Sequence, residues 1–136
     1  MSLPADMPAD PMPIDSPALR ARDAVFFALD DVLADVNLSR DAGSFHPAPL
    51  GVLVGLPALV GRTLAARTYT VGVHVVSADP LNAPGAVDAL FALADVVVLV
   101  LAASAYTPTD WSGGTNRDPL PSVYVQAVIT VTEEGV

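Results

Sequence analysis

Apolar residues along this chain recur with three distinct spacings, and each spacing predicts an element. From Leu19 through Val25, Phe26, Leu29, Val32, Leu33 and Val36 the spacing is three and four, which is one stripe of an amphipathic helix. Ser16-Pro17 supplies its start, with Ser16 as N-cap and Pro17 at the first helical position. The stripe predicts about five turns, ending near Asn37. From Arg67 to Ser77 the period changes to two: Tyr69, Val71, Val73 and Val75 share one face, and Thr68, Thr70, Gly72 and His74 the other. Val123–Thr132 alternates in the same way, with Val123, Val125, Ala127, Ile129 and Val131 inward. A second helix is expected over roughly Ala83–Ala103, capped by Asn82 and carrying Val87, Leu90, Phe91, Ala94, Val97, Val98 and Leu101. Its last part, Val96–Ala103, is apolar all round and also fits a buried strand; the period set by Ala86–Ala94 favours helix.

Breakers divide the remainder. Leu50–Leu56 is a short apolar strand candidate stopped by Gly55 and Pro57, and Tyr106–Trp111 is a strand or extended segment. Asp41–Ser44 and Ser112–Pro121 are expected loops, and His46-Pro47-Ala48-Pro49 an extended approach. Residues 1–15 hold Pro4, Pro8, Pro11 and Pro13, too dense for a helix or a paired strand, and are expected to form a flexible arm with no secretory leader pattern. Residues 16–136 then form a single α+β domain, in the order α-β-β-α-β-β, with two helices on a mainly antiparallel sheet of four to five strands.

Composition narrows the chemistry. The 136 residues are 52% hydrophobic and 15% charged, which excludes disorder for most of the chain. With no cysteine, thiol chemistry, disulfides and cysteine-based zinc sites are excluded. A net charge of -9 speaks against holding a nucleic-acid backbone or an anionic membrane. Aromatic residues are sparse at 6%, so the core must be built from Val, Leu and Ala. A small core of that kind gains from a partner surface, which is a first hint of an oligomer.

Candidate catalytic or binding groups are few. His46 and His74 lie in different predicted elements without motif partners. Gly113-Gly114-Thr115-Asn116-Arg117 lacks the Lys-Ser/Thr pair of a phosphate loop and reads as a flexible hairpin loop. Asp110, Asn116 and Asp118 make a poor calcium set without a glutamate anchor. Asp23, Asp30, Asp31 and Asp35 lie opposite the apolar stripe, where a solvated face is the default. No catalytic, cofactor-binding or metal-binding residue is assigned.

The order of segments resembles the tail terminator (tail completion) proteins of long-tailed, non-contractile bacteriophages. The likeness is carried by the first helix with Asp30-Asp31-Val32-Leu33, by Pro49–Pro57, and by Arg67–Val76 leading through Asp79-Pro80-Leu81-Asn82 into the Val87–Asp95 helix. Trp111-Ser112-Gly113-Gly114 and Pro119-Leu120-Pro121 before the closing strand complete it. The resemblance implies a non-enzymatic virion protein, assembled in the host cytoplasm. It would form a ring, commonly a hexamer, that caps the head-proximal end of the tail tube. Its partners would be further copies of itself, the tail tube protein and a head-completion or stopper protein. DNA would pass through without specific binding, and the chain's acidity suits such a conduit. Two alternatives stay open: a head-completion or stopper neck protein, and a small oligomeric binding or enzyme subunit with a site between chains.

For such a ring the candidate interface residues are Arg20, Phe27, Asp30, Leu56, Trp111 and Arg117. Phe27 projects opposite the apolar stripe, amid acidic residues and about two turns from Arg20. Leu56 and Trp111 stand at the bases of the Gly55–Gly61 and Ser112–Pro121 breaks, where large apolar residues can anchor contacts. For Trp111, a place capping the core is an equal expectation.

Overall fold

A computed structural model describes residues 16–33, 36–45, 47, 50–78, 85–111 and 120–132. The expected N-terminal arm, Asp35, His46, the Asn82 cap and the 112–119 loop with Arg117 lie outside the described residues.

Helix α1 spans Pro17–Asp30, and Ser16 caps it by accepting the Leu19 N–H at 3.3 Å. It ends about two turns earlier than its apolar spacing predicts. Asp30 and Asp31 follow one another at the negative end of the helix dipole, with no basic residue in the last turn to offset them. The backbone instead closes on Leu29, whose carbonyl accepts from both Val32 and Leu33. Leu33 remains buried, whereas Val32, expected on the inner stripe, points outward and is exposed.

The chain then forms a short strand that the sequence did not announce, β1 (Asn37–Ser39), and a turn of 3-10 helix over Ala42–Ser44 capped by the Asp41 carboxylate. Four strands, three of them long, and a second helix follow: β2 (Leu50–Arg62), β3 (Ala66–Ser77), α2 (Ala86–Leu101), β4 (Tyr106–Trp111) and β5 (Leu120–Thr132). The fold is α+β, as the periodicities imply, and the sheet order is β1-β2-β3-β5-β4. Only β1 runs parallel to its neighbour; the other pairings are antiparallel.

Gly55 and Pro57 do not end β2, as expected from their breaker character. Gly55 sits with Leu56 in a bulge, and pairing with β3 resumes at Pro57–Val71 and, past a second irregularity at Val60, continues to Arg62–Arg67. The segment Gly55–Gly61 is therefore strand, not loop. Strand β1 stops opposite Leu53, so this stretch is a sheet edge, where a missing proline N–H removes no needed ladder bond. The β2–β3 hairpin turns at Thr63–Ala65, where the Thr63 hydroxyl accepts the Ala65 and Ala66 N–H groups.

The ambiguous Val96–Ala103 run is helix as far as Leu101. Helix α2 starts at Ala86 behind Gly85, whose φ of 76° a side chain would strain, and ends in a left-handed Ala102 at φ 51°. Both helices lie on one face of the sheet. Ala21, Val25 and Leu29 of α1, Leu33 just after it, and Leu90, Leu93, Ala94 and Val97 of α2 meet the inward faces of β2, β3 and β5. Tyr69, Val71, Val73 and Val75 line that core, as their alternation predicts. Among the described residues the opposite face carries a small second cluster at one end, of Phe45, Leu53, Val76, Trp111 and Leu120.

Candidate interaction surfaces

Three surfaces stand out, each set by an element described above. The first is the outer side of α1. Phe27 is 53% exposed, and its ring meets Phe26 edge-on at 5.4 Å. The guanidinium of Arg40, carried round by β1, lies 4.6 Å from the Phe26 ring centre and 5.3 Å from that of Phe27. Arg40 also donates from Nη1 to Asp23 Oδ1 at 2.8 Å, and Arg22 Nε reaches the same oxygen at 3.1 Å. Asp30 is exposed beside this patch. The cation at Phe27 is thus Arg40 and not Arg20. Helical spacing alone could not reveal this, because Arg40 arrives from another element.

Arg20 lies at the other end of α1, where its Nη1 donates to the Thr132 carbonyl at 3.4 Å. With Pro17, Arg62, Leu64, Arg67 and Thr132 it lines a cleft of about 100 Å³ at the base of the β2–β3 turn. This end is the second surface. Past Val54 the hairpin forms an arm whose β2 side is the open sheet edge while β5 still pairs with its β3 side, and Leu56 (82% exposed), Leu59, Val60 and Leu64 are bare along it. Arg62 and Arg67 are directly opposed across the arm, and among the described residues neither is in an ion pair.

The third surface is the outer face of α2. Asp88, Ala92, Asp95 and Leu99 follow at spacings of four, three and four, opposite the buried Leu90, Leu93, Ala94 and Val97, and Leu99 is 81% exposed. The Asp95 carboxylate takes the Tyr106 hydroxyl as donor, and that bond holds the phenol proton more tightly than usual.

Trp111 belongs to none of these. Its ring stands edge-on to Phe45 at 5.2 Å and completes the small cluster on the far side of the sheet, so it is a core cap. Of the sequence-derived candidates, Phe27 with Asp30 and Leu56 are exposed on two separate surfaces, and Arg20 is bonded to the end of β5; Arg117 lies outside the described residues.

Beyond that cluster the far face is mostly polar among the described residues, with Val128 exposed on it. Thr68 and Thr130 share a hydrogen bond at 3.2 Å, and the Tyr124 ring lies over Gly72, where a Cβ would come within 2.5 Å of its hydroxyl. His74 meets Tyr124 at 5.1 Å between ring centres. Its Nδ1 is buried without a partner among the described residues, and burial lowers its pKa below the ordinary 6.5. Among the described residues no group of three His, Asp or Glu could hold a metal ion, and no helix is long and apolar enough to cross a membrane. Comparison of the chain with protein-family models and with curated proteins finds no match to either.

Proposed function

We propose that this protein is a structural ring subunit of a bacteriophage tail, a tail terminator that caps the head-proximal end of the tube and joins it to the head-completion complex. The observation that carries the assembly part is the placement of bare aliphatic side chains on regular, rigid elements. Leu56, Leu59, Val60 and Leu64 stand along an arm, and Val87, Val96 and Leu99 along a helix, where a lone small domain gains nothing from exposing them. The tail assignment rests on the segment order from α1 to the closing strand, which resembles those ring proteins. In this reading Phe27 and Asp30 face a tail partner or a neighbouring copy, and the acidic surface repels DNA moving through the channel.

Native mass spectrometry and negative-stain microscopy of the purified chain test the ring, with a closed hexamer around a channel as the expected result. Addition of that ring to the cognate tail tube protein during polymerisation tests the station, and tubes should then stop growing at one end. A chain that stays monomeric at every concentration overturns the ring. A ring that binds the head-completion partner but leaves tube growth untouched moves the protein to the neck.

A further inference from the structure

The exposed arm and the exposed face of α2 are complementary in chemistry and in length. The arm joins four aliphatic side chains to Arg62 and Arg67, whose like charges oppose each other across the hairpin and gain from an acidic neighbour. The outer face of α2 joins Leu99 and Val96 to Asp88 and Asp95, and its last turn holds no basic residue to offset the negative helix end. From Leu56 to Arg62 a strand advances up to roughly 20 Å, and a helix of α2's length rises roughly 24 Å. Within one chain the two cannot meet, because the outer face of α2 points away from the sheet to which the arm belongs.

Resting on the reading of the chain as an assembly subunit, we propose that the β2–β3 arm of one copy seats on the outer face of α2 of a second copy. The arm's arginines then lie against Asp88 and Asp95, and its leucines against Leu99. A contact between two different surfaces of identical chains is head-to-tail, and repetition about an axis closes a ring. Side-chain docking is favoured over addition of strand to strand, because both open sheet edges carry a proline, Pro57 in β2 and Pro108 in β4. The Phe27 patch is the poorer seat, since Arg40 already lies over its rings and is paired with Asp23.

Charge reversal tests the seam. Arg62→Glu/Arg67→Glu in one variant and Asp88→Arg/Asp95→Arg in another should each raise the concentration for half-assembly at least tenfold, read by sedimentation and native mass spectrometry. Circular dichroism should be unchanged. Equimolar mixing of the two variants, or all four substitutions in one chain, should restore assembly. Leu64→Ser, at a side chain fully exposed in its own fold, should weaken assembly without lowering the melting point of the dissociated subunit. Reversals that leave assembly intact, or that dissociate it without rescue, overturn this seam while the ring reading stands. A wild-type chain that never assembles removes the ring reading and the seam with it.

Discussion

Gly51 should be irreplaceable even by alanine, and the reason is a packing distance. It pairs with Val76 in the middle of the sheet and lies directly beneath the second cluster. A Cβ there would stand 2.7 Å from Phe45 Cε1, 2.8 Å from Phe45 Cζ and 2.8 Å from the Pro47 Cα, where ordinary contact begins at 3.4 Å. Neither obstacle yields easily. The Phe45 ring is buried and wedged by Trp111, and the Pro47 atom is backbone. Overpacking of this kind costs about 1–3 kcal/mol. For a domain of this size that corresponds to a fall in melting temperature of about 3–9 °C. Gly61→Ala is the control, since the nearest atom to its Cβ would be Thr68 Cβ at 3.7 Å. It should be neutral or raise stability by up to about 1 kcal/mol through the unfolded chain. The protein's one tryptophan, Trp111, touches Phe45, so its fluorescence during thermal melting reads the disturbed cluster directly. A Gly51→Ala variant that melts within a degree of wild type, or above Gly61→Ala, would refute the packing account.

Other expectations follow from single sites. Ala102→Gly should stabilise by about 1 kcal/mol, since Ala102 closes α2 in the left-handed region that glycine occupies freely; equal denaturation midpoints would count against it. Trp111→Ala should destabilise the isolated subunit by about 2–4 kcal/mol, measured by urea unfolding followed by circular dichroism, because the ring caps a core cluster. His74 is held neutral by burial, so below about pH 6.5 the unfolded chain takes up a proton that the folded chain resists, and stability falls as pH drops through that window. His74→Gln should flatten that part of the pH–stability curve; an unchanged slope would mean His74 does not cause it. Phe27→Ser should leave the melting point of the dissociated subunit within a few degrees while weakening contact with a copy or a tail partner on size-exclusion chromatography, and unchanged association would remove that face from the assembly.

What the sequence discloses here is burial more than conformation. Strands β3 and β5 were legible because both halves of their alternation matter: Val73 and Val125 enter the core, whereas Gly72 and Gln126 face away. The same logic misplaced the end of α1. Leu33 and Val36 continue the apolar period, and both do pack against the core, but from a turn and an irregular segment. Apolar spacing reports which residues go inside, while the consecutive Asp30 and Asp31 decide where helix stops. At Gly55 and Pro57 the breaker rule failed for the converse reason, since an open edge tolerates both a bulge and a lost N–H. Strand β1 and the Phe45–Trp111 contact were out of reach. Each depends on a partner far along the chain, opposite Gly51–Leu53 in one case and across most of the sheet order in the other. Among the interface candidates, Phe27 and Leu56 were visible as apolar residues out of place, but Arg40 and the arm's arginines acquire their meaning only when the strands pair.

Charge placement ties the fold to assembly. Copies of a chain with net charge -9 repel one another, so a close seam between them must set positive against negative. Among the described arginines, Arg22 and Arg40 are committed to Asp23 and Arg20 is braced on Thr132 at the end of β5. Arg62 and Arg67 are left, opposed to each other on an arm otherwise sheathed in leucine and valine. For the isolated chain that arrangement is a double liability, exposing apolar surface and juxtaposing like charges. In a head-to-tail assembly both are relieved at once by an acidic, apolar helix, and α2 presents such a face along its whole length. The β2–β3 hairpin builds the core through Val52, Val54, Val71, Val73 and Val75, whereas its far end, from Leu56 to Leu64, is then explained by what it reaches and not by what it supports.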